Sequence, residues 1–239
     1  MQSINSFKEY SLIQNLKQKL GSIPLVDYIH NIFVLRRAKI QIPEKPSFVS
    51  VEAVEKFFDL LEKSSFYVEY GSGGSTVAAA KLGKNFSSYE PSEKFLKIVG
   101  EKIRQLGIFD PAYTDLKSIY YGPTRTWGIP FPYNLSKFIF CKGMQNYSDP
   151  HWEKTKRYPD LILIDGRFRV ACALKAIKSL KHQDNWVIIV DDYLDREEYK
   201  IIEEFSDLDE ILGTTAFFSK KLFVKDIDKA IISHELDFL

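Results

Sequence analysis

The feature that most narrows the fold is the run Phe66-Tyr67-Val68-Glu69-Tyr70-Gly71-Ser72-Gly73-Gly74-Ser75-Thr76. Aromatic and β-branched residues stop at a cluster of glycine and serine, and an alanine-rich segment, Val77 to Leu82, follows at once. The first part predicts a strand and the last part a helix. The glycines between them let the backbone turn sharply and approach a ligand closely. A helix start also offers N–H groups without partners, so the whole unit suits a nucleotide-like ligand.

Downstream the chain alternates between strand and helix patterns, as expected of a parallel sheet covered on both faces. Ser50 is a candidate N-cap for a helix carrying Val54, Phe57, Phe58 and Leu61, which feeds the first strand. A second strand covers Phe86 to Tyr89 and ends at Glu90; a helix from Ser92 to Gln105 follows. A third strand runs from Leu116 to Tyr121 and stops at Gly122-Pro123. Thr124 to Tyr158 then shows little periodicity and reads as a long functional loop, with an aromatic content that argues against disorder. Leu161 to Ile164 is the clearest strand and ends at Asp165-Gly166, with a helix through Val170, Ala173, Leu174, Ile177 and Leu180 behind it. Trp186 to Val190 forms the next strand and ends at Asp191-Asp192; a polar helix covers Arg196 to Phe205. Glu210 to Gly213 and Ala216 to Phe218 close the sheet, with a further piece at Leu222 to Val224.

The division expected is an N-terminal helical extension and connector over residues 1–46 and a Rossmann-like domain over 47–239 with a long insert at 124–158. Phe7, Tyr10, Ile13, Leu16 and Leu20, then Leu25, Ile29, Ile32 and Phe33, lie at helical spacing. These faces predict a cap on the main domain, with a dimer contact or partner-binding arm as alternatives. Pro43 and Pro46 bracket the connector.

At 239 residues, 45% hydrophobic and 27% charged, the chain can bury a full core as a soluble protein. A net charge of +1 gives no electrostatic case for nucleic acid or an anionic membrane as the main partner. Cys141 and Cys172 stand far apart and in no metal-type spacing, which suits reduced thiols in the cytoplasm. Neither a signal peptide nor a membrane-spanning run is read from the sequence.

In an open parallel sheet, ligands bind beyond the C-terminal ends of the strands. The residues expected there are Gly71 to Ser75, Glu90, Gly122, Asp165 and Asp191-Asp192. A phosphate-cradling loop is ruled out, because Gly83-Lys84 is followed by Asn85 rather than Ser or Thr. A dinucleotide fingerprint fits Gly71 and Gly73 but finds Thr76 at the third position. S-adenosylmethionine has no phosphate and carries an ammonium, a sulfonium and a ribose, so it calls for acids, and Glu69, Glu90 and Asp165 supply them. Glu90, about 20 residues after Gly71, is placed to grip ribose hydroxyls in this ligand or in NAD.

The block Glu69-Tyr70-Gly71-Ser72-Gly73-Gly74-Ser75-Thr76 resembles the first motif of class I S-adenosylmethionine-dependent methyltransferases. Gly122-Pro123-Thr124 with Trp127-Gly128, and Ile164-Asp165-Gly166-Arg167-Phe168-Arg169, resemble a bacterial branch of that superfamily. The resemblance covers residues 48–224 and implies a seven-stranded sheet with the last strand antiparallel. It implies cofactor contacts at Glu69, Gly71, Ser72, Gly73, Gly74, Ser75, Glu90, Tyr121, Gly122 and Asp165. Asp165 and Asp191 are then the candidate catalytic residues, and Trp127 and Arg167 the candidates for a small-molecule or glycan-type acceptor. The alternatives are an NAD- or nucleotide-binding Rossmann protein and a member that binds cofactor without turnover.

Catechol-type O-methyltransferases build a magnesium site from an acid after the fourth strand and an acid–amide pair after the fifth. Asp165, Asp191 and Asp192 stand at similar places and predict a Mg²⁺ site, with Asp192 where that family has an amide. The competing expectations are that Asp191 and Asp192 cap the helix near Arg196 or that Asp192 pairs with an arginine. Arg167 and Arg169 are read either as ligands of a substrate carboxylate or phosphate or, for one of them, as the partner of a nearby strand-end acid, and His151 either as a base or as a surface histidine.

Overall fold

The computed structural model describes residues 40–194, 196–222 and 226–237. The helical periodicity read over residues 7–37, most of the extension, and the strand piece at its Phe223 and Val224, fall outside them. Strands and helices alternate in a Rossmann-like order. Helix α1 (Val51–Lys63) leads into β1 (Tyr67–Tyr70), α2 (Gly74–Lys81), β2 (Phe86–Glu90), α3 (Glu93–Gln105) and β3 (Thr114–Ser118). Then come α4 (Tyr133–Ser148), β4 (Leu161–Ile164), α5 (Arg169–Ser179) and β5 (Val187–Val190). Strands β6 (Ser206–Leu212) and β7 (Thr215–Lys220) and helix α6 (Asp228–His234) complete the order.

The seven strands form one sheet in the order β3-β2-β1-β4-β5-β7-β6. Strands β1 to β5 are parallel, and β7 runs antiparallel to both of its neighbours, β5 and β6. Both faces are covered, which explains why β4 is apolar at every position. Leu161 and Leu163 point to the face packed by α1, α2 and α3, with Phe57, Val77, Val99 and Ile103. Ile162 and Ile164 point to the other face, where α4, α5 and α6 contribute Met144, Leu174, Ile177 and Ile231. The period of two along each strand thus divides one hydrophobic run between two cores.

Ser50 caps α1, its Oγ accepting from the Ala53 N–H at 3.1 Å, and Ser92 caps α3 through the Phe95 N–H at 3.3 Å. The stretch expected to be a loop holds the 16-residue helix α4, flanked by 3-10 turns at Thr126–Gly128 and His151–Lys154. Its period was hidden because Leu135, Phe138 and Ile139 face outward while Met144 and Tyr147 face the core, and the backbone departs from helical angles at Phe140. Strand β3 pairs earlier than expected, so Ile119 to Tyr121 extend beyond the paired ladder. The polar helix before β6 is a 3-10 helix, Glu197–Glu204, and the closing hairpin is longer than its apolar residues suggested. Cys141 and Cys172 are free thiols. Among the described residues, no helix is long and apolar enough to cross a membrane.

Candidate active site

Strand order reverses at β1. Helix α2 carries the chain from β1 to β2 on one side, while β4 pairs with β1 on the other. The turn after β1 therefore lies at a topological switch point, the place where open α/β sheets take ligands. Gly71, Ser72 and Gly73 are partly exposed at this turn, and Gly74 and Ser75 are buried beneath it.

Two glycines of the turn serve close packing. Gly71 has φ +98°, and a Cβ there would lie 2.8 Å from the Gly166 nitrogen, so the turns after β1 and β4 meet backbone to backbone. At Gly74 a Cβ would collide with the Lys45 carbonyl oxygen. The connector 40–47 crosses the start of α2 here, and Glu44 pins it by pairing with Lys81 and Lys102, each at 2.8 Å. These two ammonium groups hold the Glu44 carboxyl down at about 2. A Cβ at Gly73 would meet nothing within 4 Å, so the space above that residue is open.

Glu69 lies under the turn and is wholly buried. Its carboxylate accepts from Tyr67 Oη at 2.8 Å, from Ser75 Oγ at 2.6 Å and from the Thr76 hydroxyl. Thr76 Oγ1 in turn accepts the Gly73 N–H at 2.8 Å. This explains threonine where a dinucleotide fingerprint has glycine: its hydroxyl relays the buried carboxylate to the turn. Burial pushes the Glu69 carboxyl above its ordinary range, against the pull of the donating hydroxyls.

Glu90 ends β2 beside the turn. Its Oε1 accepts the Ser92 N–H at 2.9 Å and its Oε2 the Ser72 N–H at 3.3 Å. Burial raises this carboxyl to about 7, although the two N–H groups favour its charged form. Asp165 ends β4 on the opposite side of the turn, with its side chain 36% exposed. Its Oδ1 accepts from Arg169 Nη2 at 3.2 Å, and its Oδ2 has no partner among the described residues. Desolvation raises the Asp165 carboxyl, Arg169 pulls it down, and Asp191 and Asp192 push it up again.

The three aspartates expected to hold Mg²⁺ are engaged otherwise. Arg169 is buried among them: it donates through Nε to the Gly166 carbonyl at 3.0 Å and through Nη1 to the Asp191 carbonyl. Nη1 also pairs with Asp192 Oδ2 at 3.0 Å. Asp191 turns its Oδ1 onto Thr215 Oγ1 at 2.7 Å, and Asp192 lies 3.7 Å from Arg196 Nη2. Among the described residues no group of three or more His, Cys, Asp or Glu side chains is arranged to hold a metal. A guanidinium already stands where the cation would go, so this donor set does not fit Mg²⁺.

Tyr121 and Gly122 were expected to border the cofactor. Tyr121 is wholly buried, and its Oη donates to the Gly128 carbonyl at 2.6 Å. Gly122 lies under the ring of Phe140. Trp127 does not line an enclosed pocket: it is 80% exposed and has a left-handed backbone with φ 63°. Arg167 holds the same turn through Nε to the Trp127 carbonyl at 2.9 Å, and no carboxylate pairs with it among the described residues. Tyr70, Tyr121, Tyr147 and Phe168 pack edge to face as a floor on the α4–α5 side of the strand ends. His151 is half-buried rather than a surface residue, with its ring 4.8 Å from Tyr89 and its Nε2 without a hydrogen-bond partner among the described residues; burial lowers its pKa.

Arg169, Thr215 and Tyr147 carry weak signals or none in the sequence. Arg169 follows Asp165 by four residues, and the turn between β4 and α5 brings the pair together. Thr215 has no local signal, because it reaches Asp191 only through the antiparallel return of β7. Tyr147, wholly buried, was hidden by the blurred period of α4.

No family model matches the sequence, and no curated protein matches it. A solved structure of a methyltransferase-like protein from Silicibacter pomeroyi is similar at 27% identity and TM-score 0.71, over 82% of this chain and 100% of that one. An O-methyltransferase from Bacillus cereus in complex with SAH is a looser likeness, at 17% identity and TM-score 0.42, over 82% of this chain and 78% of that one.

Proposed function

We propose that this chain is an S-adenosylmethionine-dependent methyltransferase acting on a small-molecule or glycan-type acceptor. The observation that carries the proposal is the pair of carboxylates flanking the partly exposed turn Gly71–Gly73: Glu90 at the end of β2, and Asp165 after β4 with an oxygen unpartnered among the described residues. This donor set fits a ligand with a ribose diol and a cationic amino-acid end. The similarity to the Silicibacter pomeroyi methyltransferase-like protein supports the same reading.

In this proposal the backbone of Gly71, Ser72 and Gly73 passes along the cofactor, and Glu90 accepts from the ribose hydroxyls. Asp165 Oδ2 accepts from the ammonium, and Tyr121 and Gly122 support the adenine side. Glu69, Gly74 and Ser75 act from below by shaping the turn, and Asp191 keeps β5 and β7 in place through Thr215. When bound, the cofactor supplies an electrophilic methyl group. The protein's part is to hold the acceptor in line with that group and to exclude water, for which positioning alone supplies much of the acceleration. Trp127 and Arg167, at the rim, are the proposed acceptor contacts.

One observation sets this reading above a dinucleotide. A pyrophosphate would need the N-terminal N–H groups of α2. There the Lys45 carbonyl is packed on Gly74, and the Gly73 N–H is taken by Thr76. Calorimetric titration with S-adenosylhomocysteine and with NAD separates the two: saturable binding of the first alone is expected, and saturable binding of NAD alone refutes the proposal. Transfer of labelled methyl from S-adenosylmethionine across an acceptor panel then distinguishes an enzyme from a member that only binds.

A further inference from the structure

We infer that Arg169 is the positioning residue of this site, a built-in cation that does for Asp165 what a divalent metal would do. The inference rests on the methyltransferase reading for its consequence but on the geometry for its cause. Arg169 is 2% exposed and begins α5, after the turn 165–168 that follows β4. One guanidinium contacts the Asp165 carboxylate, the Gly166 and Asp191 carbonyls and the Asp192 carboxylate. It therefore ties the end of β4 to the end of β5 through both side chains and backbone.

The planar fork matters here. A lysine ammonium is a single point of charge, while a guanidinium donates in several fixed directions at once. Oδ1 of Asp165 is held by Nη2, which leaves Oδ2 as the oxygen turned to a ligand. The carboxylates that surround Arg169 outweigh the burial that works against its charge, so the guanidinium stays protonated. Leaving three aspartates at adjoining strand ends without it would crowd like charges in a poorly solvated place. The consequence is a site whose cation is covalently part of the chain, with methyl transfer independent of added metal.

The test compares the wild-type protein with Arg169→Gln, Arg169→Ala and Arg169→Lys. Thermal denaturation with and without millimolar Mn²⁺ reads cation binding without any cofactor. Wild type and Arg169→Lys should show no shift, because the positive charge is present. Arg169→Gln should be stabilised by Mn²⁺, and Arg169→Ala by millimolar guanidinium ion, which refills the space the side chain leaves. S-adenosylhomocysteine affinity should fall roughly tenfold to a hundredfold in Arg169→Gln and less in Arg169→Lys. Saturable stabilisation of the wild type by Mn²⁺ overturns the inference, as does wild-type affinity in both the Gln and Lys variants. If the variants do not fold, the wild-type Mn²⁺ titration and chelator-insensitive methyl transfer still decide it. If wild type binds no S-adenosylhomocysteine, the proposed function falls, while the cation arms still report on Arg169.

Discussion

Glu90 should make cofactor binding depend on pH. Its carboxyl is raised to about 7 by burial, yet it is the group proposed to accept from the ribose hydroxyls. A charged acceptor makes the stronger bond, so binding favours the ionised form. With a pKa near 7, roughly one molecule in ten is ionised at pH 6 and nine in ten at pH 8, so affinity should rise about tenfold across that interval. In the free protein the sign is opposite. A carboxyl lifted from an ordinary 4.5 to about 7 contributes stability that is fully present below 4.5 and lost as pH rises through 7. That loss amounts to about 3 kcal/mol. Glu69, also raised by burial, works in the same direction, and Asp165 lies across the turn, so a control is needed. Glu90→Gln supplies it: binding should be weaker and its pH dependence flatter, while the free protein becomes more stable above pH 7. The assay is calorimetric titration with S-adenosylhomocysteine from about pH 6 to about pH 8 in buffers of different ionisation enthalpy, which also counts the proton released. An affinity independent of pH in wild type, or the same dependence in Glu90→Gln, would refute the reasoning.

Three further outcomes follow from the geometry. Thr76→Val removes the hydroxyl that joins Glu69 to the Gly73 N–H, and should cost about 1–3 kcal/mol in urea denaturation, with Thr76→Ser restoring most of it. Gly71→Ala forces a side chain into a left-handed backbone and against Gly166, and should cost about 1–3 kcal/mol by the same measurement; wild-type stability would contradict the packing described. Trp152 and Trp186 are buried and Trp127 is exposed, so acrylamide quenching reports mainly on Trp127. Binding of an acceptor at the proposed rim should reduce that quenching, and Trp127→Ala should weaken acceptor binding while leaving urea stability nearly unchanged.

What could be read from the sequence was local. The turn at Gly71–Gly73, the cap at Ser50 and the apolar strand Leu161–Ile164 each carry their signal within a few residues. Strand-end positions for Glu90 and Asp165 followed from the same alternation of strand and helix. What was missed depends on packing between distant segments. Gly74 looked like a cofactor contact because glycine is also what a close approach by another segment requires, and that segment, around Lys45, is remote in sequence. Asp191 and Asp192 looked like metal ligands because carboxylates at neighbouring strand ends are shared by metal sites and arginine pairs, and only the fold shows Arg169 between them. Helix α4 was hidden because both its inner and outer faces are apolar, so neither a period nor a buried side stood out.

The most direct test of the central claim is a crystal structure of the protein with S-adenosylhomocysteine. The ribose hydroxyls should lie on Glu90, the amino group on Asp165 Oδ2, and the ligand over Gly71 to Gly73. A ligand seated away from the ends of β1, β2 and β4, or bound with Glu90 and Asp165 both out of contact, would contradict it.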